Sequence, residues 1–166
     1  MISSEDIDAV YLPLPPALHF HWAQKALETG KHVFLEKPST TCLKDTDALI
    51  RIASQKGLAL HENYMFIYHS QLETIQNIVR SGEIGDVRLY RISFGFPLRQ
   101  MNDFRYNKKL GGGALLDAVG YSLKYANYLL GDSARIVTAQ ANDVDGFDVE
   151  MYGSATMVNN QGTVVQ

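Results

Sequence analysis

The alternation of short apolar runs with helix-like segments in the first 64 residues restricts the fold more than any other feature. The predicted elements are, in order, a strand at 9–12, a helix at 19–28, a strand at 32–36, a helix at 43–55 and a strand at 58–64. Prolines after the first run cannot donate to a sheet ladder, and Gly30 and Gly57 stand where helices commonly end. Strands and helices of these lengths in this order are typical of parallel βαβ units.

The pattern changes after about residue 66, where strand-like segments become more frequent. The predicted elements are a helix at 70–81, a strand at 87–96, a helix at 114–130 after three glycines, and strands at 135–143, 148–158 and from 163 onward. The last three alternate as antiparallel strands do. The sequence therefore predicts an α/β fold in two parts. Residues 1–66 form a parallel sheet, and residues 67–166 form an α+β domain with an open antiparallel sheet.

Composition excludes several classes of protein. A formal net charge of −3, with Lys and Arg spread along the chain, gives no basic surface for nucleic acid. No apolar run reaches the ~18 residues that a membrane span requires, and the first residues do not resemble a signal peptide. The single cysteine, Cys42, excludes an internal disulfide framework and is typical of a reducing compartment. We therefore expect a cytoplasmic protein that binds neither nucleic acid nor membrane.

The first predicted strand begins close to the first residue, and the last predicted segment has the pattern of the middle of a strand. A parallel sheet of three strands exposes edges that need to be covered. We expect another copy, another chain or further sequence to cover them. The alternative is that nothing covers these edges and the chain is a small α/β domain with frayed ends.

The segment Glu36-Lys37-Pro38 lies where a predicted parallel strand meets a loop. Ligands bind at the carboxyl edge of such sheets, because loops and helix N-termini converge there. A lysine at this edge can donate a proton or a hydrogen bond to a substrate oxygen, and a neighbouring carboxylate can orient it. The alternative is a solvated charge pair before a proline turn.

The helix after the three glycines carries Asp117 and Tyr121, four residues apart on one face. A carboxylate one turn from a phenol can serve in proton transfer or orient a substrate. The glycines allow a ligand to approach the backbone closely, and they could expose the helix N-terminus to an anion or to a sugar. The alternative is a half-packed tyrosine with its hydroxyl on Asp117.

Three further residues are weaker candidates. His19 and His21 lie too close in sequence to share a helical metal face, and no cysteine or carboxylate cluster accompanies them, so we expect no metal site. His19 follows a strand-to-loop proline run and could still contact a cofactor. Arg105 is a candidate anion contact, with a solvated charge as the alternative.

Taken together, segments 8–19, 26–38 and 110–121 resemble the Gfo/Idh/MocA family of oxidoreductases. The resemblance implies that residues 1–66 are the second half of a dinucleotide-binding Rossmann domain. It also implies that residues 67–166 belong to an incomplete C-terminal substrate and oligomerisation domain. In this family the open sheet often serves oligomerisation, so we expect a homo-oligomer.

The resemblance also implies a chemistry, which is hydride transfer between a nicotinamide and a sugar carbinol carbon. Lys37 matches the family lysine that hydrogen-bonds the substrate, and Tyr121 matches the proton donor or acceptor of the tyrosine-bearing subgroup. Asp117 matches the acidic residue one turn earlier. The resemblance further implies that Lys37 holds the reacting oxygen and lowers the pKa of the phenol.

The cofactor implied by the resemblance is NADP or NAD. Leu14 and His19 match the loop that lies along its ribose and nicotinamide end. The turn Glu36-Lys37-Pro38 lies at the same edge, and Arg105 is expected near the mouth of the site.

Within the family, the sequence is similar to NDP-sugar 3-ketoreductases and to NADP-linked dihydrodiol and D-xylose dehydrogenases. Segment 62–66 favours the sugar ketoreductases. The sequence contains no Gly-x-Gly-x-x-Gly phosphate loop, so we expect a fragment of such an oxidoreductase that binds NADP weakly by itself. The alternative is a non-catalytic binding or oligomerisation module with the family fold.

Overall fold

A computed structural model describes all residues, Met1 to Gln166. The first part of the chain alternates strands with helices, as its sequence pattern predicts. The elements are β1 (Ala9–Leu12), α1 (Pro16–Glu28), β2 (His32–Glu36), α2 (Leu43–Lys56) and β3 (Leu60–Asn63). Helix α1 begins three residues earlier than predicted because Pro16 occupies its first turn, where a missing N–H costs nothing.

The first sheet has the order β1-β2-β3, and both strand pairs are parallel. Its core consists of apolar side chains from the strands and from the helices that cover one face. Leu35 of β2, Leu27 of α1 and Leu49 of α2 are fully buried, at 0% exposed. Burial of each such side chain contributes about 1.5–3 kcal/mol, which fixes both helices against the sheet. All three strands therefore end at the same carboxyl edge.

The second part of the chain contains two helices and four strands. Its elements are α3 (Ser70–Ser81), β4 (Leu89–Tyr90), α4 (Gly120–Leu130), β5 (Arg135–Asp143), β6 (Glu150–Val158) and β7 (Val164–Val165). The sheet order is β4-β7-β6-β5. Residues Ala126 and Leu130 of α4 pack on Met157 and Val165 of this sheet. None of the helices has both the length and the apolar character needed to cross a bilayer.

Two features of this sheet differ from the sequence prediction. β5, β6 and β7 are antiparallel as predicted, but β4 runs parallel to β7, so the sheet is mixed. The predicted strand at 87–96 pairs as a strand only at Leu89–Tyr90. Main-chain hydrogen bonds to segment 164–166 extend along residues 88–92 and do not continue into 93–96, so the ladder ends there.

The predicted helix at 114–130 is continuous, but it does not have α geometry throughout. Leu115–Val119 form a π-helical turn that leads directly into α4. Such turns displace the residues around them from the usual four-residue spacing, and they often occur at functional sites. Asp117 lies within this turn.

Candidate active site

Lys37 and Asp117 connect the carboxyl edge of the first sheet to the helix of the second part. Lys37 follows β2, and its Nζ donates to Asp117 Oδ1 at 2.8 Å and to the Asp117 main-chain oxygen at 2.6 Å. Their side chains are only 13% and 14% exposed. An ammonium has three donors, so one remains for another acceptor.

Arg105 engages the other oxygen of the same carboxylate. Its Nε donates to Asp117 Oδ2 at 3.0 Å, and its Nη1 donates to Asp103 Oδ1 at 3.2 Å. The main-chain N–H of Arg105 also donates to Asp103, and together with the guanidinium it lowers the pKa of Asp103. Each oxygen of Asp117 therefore has its own cation, which leaves Asp117 as an orienting group between Lys37 and Arg105.

Tyr121 lies one turn beyond Asp117, inside a group of aromatic rings. The ring centres of Phe94, Tyr64 and Phe66 lie 5.0, 5.3 and 5.9 Å from its own. Lys37 Nζ lies over the ring, 5.0 Å from its centre. Gly120 makes the packing possible, because a Cβ there would overlap the Tyr64 hydroxyl. The geometry brings Lys37, Asp117 and Tyr121 together.

The pKa of Tyr121 is raised above its ordinary value. Burial is the largest cause, the negative charges of Glu36 and Asp117 add to it, and the charge of Arg105 opposes it. The pKa of the phenol is therefore raised overall, contrary to the lowering expected from Lys37. Burial and the carboxylates of Glu36 and Asp117 act against any lowering of this pKa by the positive charge of Lys37. The Asp117 oxygens are likewise bound to Lys37 and Arg105 and not to the Tyr121 hydroxyl.

Glu36 joins the ends of all three parallel strands. Its Oε1 accepts a hydrogen bond from Tyr11 Oη at 2.7 Å and from Asn63 Nδ2 at 2.8 Å. Burial raises the pKa of Glu36, but these bonds, the Lys37 N–H and the Lys37 charge together bring it below its ordinary value. Sequence reasoning missed Tyr11 and Asn63. Their positions near the ends of neighbouring parallel strands were the available signal.

His19 is fully buried, at 0% exposed. Its Nε2 lies 2.7 Å from the Leu14 carbonyl oxygen, and its Nδ1 lies 2.8 Å from the Pro38 carbonyl oxygen. The imidazole thereby ties the loop after β1 to the loop after β2. Both ring nitrogens face main-chain oxygens, so His19 reaches a ligand only through the backbone that it holds.

The three glycines before the helix pack against protein groups. A Cβ at Gly111 would meet Pro16, one at Gly112 would overlap the Arg105 carbonyl, and one at Gly113 would overlap the Glu150 carboxylate. Glu150 Oε1 also accepts the Leu115 N–H at 2.9 Å, so a carboxylate of the protein already occupies the helix N-terminus. Protein groups therefore fill the space beside the glycine Cα atoms, but Gly113 also lines the cleft beside Arg105 and Asp117, and the approach of a ligand at these glycines stays a prediction.

Two clefts border the site. The larger, of about 940 Å³, opens beside Tyr121 and is lined mainly by apolar and aromatic residues, among them Phe66, Tyr68, Phe94 and Tyr125. The smaller, of about 240 Å³, lies beside Arg105 and Asp117. The Tyr121 ring therefore borders a space large enough for a small-molecule ligand.

Two family models match the chain. Residues 1–64 match an oxidoreductase family with an NAD-binding Rossmann fold, and residues 72–166 match the GFO/IDH/MocA C-terminal domain. The second match alone spans more than half of the chain.

Curated relatives with sugar-related activities are similar over nearly the whole chain. A dTDP-3,4-didehydro-2,6-dideoxy-α-D-glucose 3-reductase from Streptomyces violaceoruber is 43% identical over 99% of the chain and 48% of its own length. A D-xylose 1-dehydrogenase (NADP(+)) from Haloferax volcanii is 32% identical over 92% of the chain and 47% of its own length. The chain spans about half the length of the curated relatives it matches.

A solved structure has the same arrangement of elements. A 3-ketoreductase from Actinomadura kijaniata, in complex with NADP and TDP-benzene, superposes with a TM-score of 0.95 and 38% identity. The superposition covers 99% of this chain and 51% of the reductase. This likeness confirms the predicted fold class, a partial Rossmann-type sheet followed by an α+β domain.

Proposed function

Because the chain belongs to the Gfo/Idh/MocA oxidoreductase family, we propose that it supplies the proton-transfer residues of an NADP-linked sugar reductase. The reaction is hydride transfer between the nicotinamide and a sugar carbon, coupled to proton transfer at the attached oxygen. The observation that carries this proposal is the meeting of the Lys37 ammonium and the Tyr121 ring, 5.0 Å apart, in one site. Nothing in the geometry favours the non-catalytic alternative.

The carboxyl edge of the first sheet fits a nicotinamide cofactor. His19 holds the Leu14 and Pro38 carbonyls, so the loops after β1 and β2 form one rim where nucleotides bind in open α/β sheets. Leu14 and the turn Glu36-Lys37-Pro38 would hold the nicotinamide end, and Arg105 lines the smaller cleft beside Asp117. When bound, the nicotinamide supplies or accepts the hydride.

Lys37 binds the reacting sugar oxygen through the one ammonium proton that Asp117 does not use. Negative charge develops on this oxygen as a ketone is reduced, and a positive donor in a partly buried site stabilises that charge. Asp117 keeps the ammonium in place, because it accepts the other two protons. Lys37 thus orients the substrate and stabilises the developing charge.

Tyr121 donates the proton to the same oxygen. Its raised pKa keeps the phenol protonated at neutral pH, which suits a donor in the direction of ketone reduction. Its position on the border of the larger cleft supports this role, because a substrate in that cleft comes close to the phenol.

The substrate class is a keto sugar carried on a nucleotide. The reductase from Streptomyces violaceoruber, whose name specifies a dTDP-linked sugar, is 43% identical to this chain, against 32% for the D-xylose dehydrogenase. Segment 62–66 favours the same choice. D-xylose is the second candidate, supported by that dehydrogenase.

The assay follows NADPH absorbance with the natural protein that contains this chain. With dTDP-3,4-didehydro-2,6-dideoxy-α-D-glucose, we expect NADPH oxidation that saturates with the sugar nucleotide. A parallel assay offers D-xylose with NADP⁺ and follows the same NADPH absorbance. Faster turnover of D-xylose would select the second candidate. No turnover of either substrate by folded protein would contradict the proposal.

We also propose that residues 1–66 and 67–166 are separate domains and that the second forms a homo-oligomer through its sheet. β5 is exposed along nearly its whole length, and Val137 and Tyr152 are 53% and 59% exposed. Apolar side chains on an open sheet favour association with a second copy.

Light scattering during size-exclusion chromatography should give the mass of a dimer or a larger oligomer, and Val137→Lys should lower the measured mass. A monomer at micromolar concentration would contradict the proposal.

A further inference from the structure

We infer that Arg105 is a positioning residue, which fixes the direction of the Lys37 ammonium by acting through Asp117. The consequence for turnover rests on the proposed function, whereas the ordering of Lys37 is a property of the chain itself. Arg105 is thereby assigned to the proton-transfer machinery and not to the binding of an anionic ligand.

The inference rests on an unbroken line of contacts. Asp103 accepts from Arg105 Nη1 at 3.2 Å, Arg105 Nε donates to Asp117 Oδ2 at 3.0 Å, and Lys37 Nζ donates to Asp117 Oδ1 at 2.8 Å. The charges alternate along this line, so each ion pair is flanked by another. An isolated surface pair lacks such support and contributes little.

Burial strengthens these contacts. The Arg105 side chain is 27% exposed and that of Asp103 is 19% exposed, while Asp117 and Lys37 are less exposed still. Partial removal from water makes charge–charge contacts stronger and more directional than at the surface. The carboxylate of Asp117 is therefore held from both sides.

Arg105 is itself fixed from three directions. Its guanidinium carbon lies 4.5 Å from the ring centre of Phe104, and its main-chain oxygen accepts the Gly113 N–H at 2.8 Å. Gly112 packs against the same main-chain oxygen, where any side chain would overlap it. Together with Asp103, these contacts make Arg105 a rigid support for Asp117.

The geometry requires a guanidinium. Nε and Nη1 lie on one planar group and donate to two different carboxylates, Asp117 and Asp103. A lysine presents one point charge on a flexible stem and cannot hold both in this way. Without Arg105, the Asp117 carboxylate keeps only Lys37 as a charged partner and is held from one side only. The Asp117 main-chain oxygen still accepts one ammonium proton, but the contact with Oδ1 is no longer fixed, so the direction of the remaining proton is less restricted.

The test compares Arg105→Gln, Arg105→Lys and a control, Arg88→Gln. The Arg88 side chain is 84% exposed and pairs only with Asp86. The first readout is NMR of the lysine ammonium groups, with the Lys37 signal assigned from its loss in Lys37→Met. We expect exchange of the Lys37 ammonium with water to be at least ~10-fold faster in Arg105→Gln, because one fixed partner of Asp117 is lost. Amide signals away from the site should not change. Arg88→Gln should leave the Lys37 signal unchanged.

The second readout is steady-state kinetics in the natural protein that contains this chain. We expect kcat to fall by about 10- to 100-fold in Arg105→Gln, the range that small misplacements cause, while KM changes less than about 2-fold. Arg105→Lys should show a smaller fall without full recovery. This variant also keeps the test valid if Arg105→Gln does not fold.

The outcomes separate this inference from the proposed function. An unchanged Lys37 ammonium signal in both Arg105 variants would overturn the inference, whatever the kinetics. A raised KM with unchanged kcat would also overturn it, because Arg105 would then bind the ligand directly. If the protein shows no reductase activity but the ammonium signal responds as expected, the positioning role stands and only the proposed function fails.

Discussion

The Lys37 ammonium lies over the face of the Tyr121 ring, 5.0 Å from its centre, and gives two protons to Asp117. Lys37 follows a strand of the first sheet, whereas Tyr121 belongs to the helix that packs on the second. The two halves of the chain therefore meet at the two groups to which we assign substrate orientation and proton transfer. A cation on the ring face also contributes about 0.5–2 kcal/mol where water is partly excluded.

Ionisation of Tyr121 should require alkaline conditions beyond those of an ordinary tyrosine. Burial and the charges of Glu36 and Asp117 raise its pKa above the ordinary value of 10.0. The difference in absorbance at the tyrosinate band between the natural protein and Tyr121→Phe should therefore develop only above about pH 10. A difference already complete at pH 9 would contradict this prediction.

Glu36→Gln should destabilise the protein at neutral pH and matter less in acid. The pKa of Glu36 is lowered in the folded state, so its carboxylate stabilises the fold above its unfolded pKa, near 4.3. This contribution is lost as pH falls through the lowered folded value. We expect a loss of about 1–3 kcal/mol at pH 7, typical of hydrogen bonds to a charged group.

Urea unfolding at pH 7 and near pH 3 measures this effect. Glu5→Gln is the matched control, since Glu5 is exposed, and it should change the free energy of unfolding by less than about 0.5 kcal/mol. An equal effect of Glu36→Gln at both pH values would show that its charge does not contribute.

His19→Ala should destabilise the fold far more than His21→Ala. The first change leaves the Leu14 and Pro38 carbonyls without their imidazole partner and opens a cavity, which together cost about 2–4 kcal/mol. His21 is exposed, and its removal should cost less than about 0.5 kcal/mol. Denaturant unfolding of both variants makes the comparison, and similar values would refute the tie between the two loops.

Gly112→Ala should destabilise by about 1–3 kcal/mol, because the added Cβ would overlap the Arg105 carbonyl in a packed region. Gly95→Ala is the matched control. A Cβ at Gly95 meets nothing within 4 Å, and neither glycine has a positive φ. Thermal or urea unfolding should therefore leave Gly95→Ala near the parent. If both variants unfold alike, the glycine loop does not pack as described.

The sequence predicts the first sheet closely because its signals are local. Strand β2 has the predicted bounds at both ends, and Gly57 ends helix α2 in the left-handed conformation, at φ 64°. The placement of Lys37 at the carboxyl edge follows from the βαβ order alone. These features need no knowledge of distant contacts.

The features that the sequence did not predict depend on contacts between distant parts of the chain. The extent of β4 depends on hydrogen bonds to segment 164–166, which no local pattern encodes. Asp117 lies in the π-helical turn at Leu115–Val119 and bonds to Lys37, 80 residues away, and to Arg105, so its partners could not be predicted from the spacing of Asp117 and Tyr121. The bonds from Tyr11 and Asn63 to Glu36 likewise require the strand register. Sequence reasoning predicted which residues meet in the candidate site, but not the hydrogen bonds that hold them there.

The turnover of Tyr121→Phe in the natural protein that contains this chain, with NADPH and a dTDP-linked keto sugar, tests the central claim most directly. Loss of the phenolic proton should lower kcat by ~10²–10⁴-fold. Tyr128→Phe, a phenol change elsewhere on the same helix, should leave kcat unchanged. An unchanged kcat in Tyr121→Phe would contradict the assignment of proton transfer to this residue.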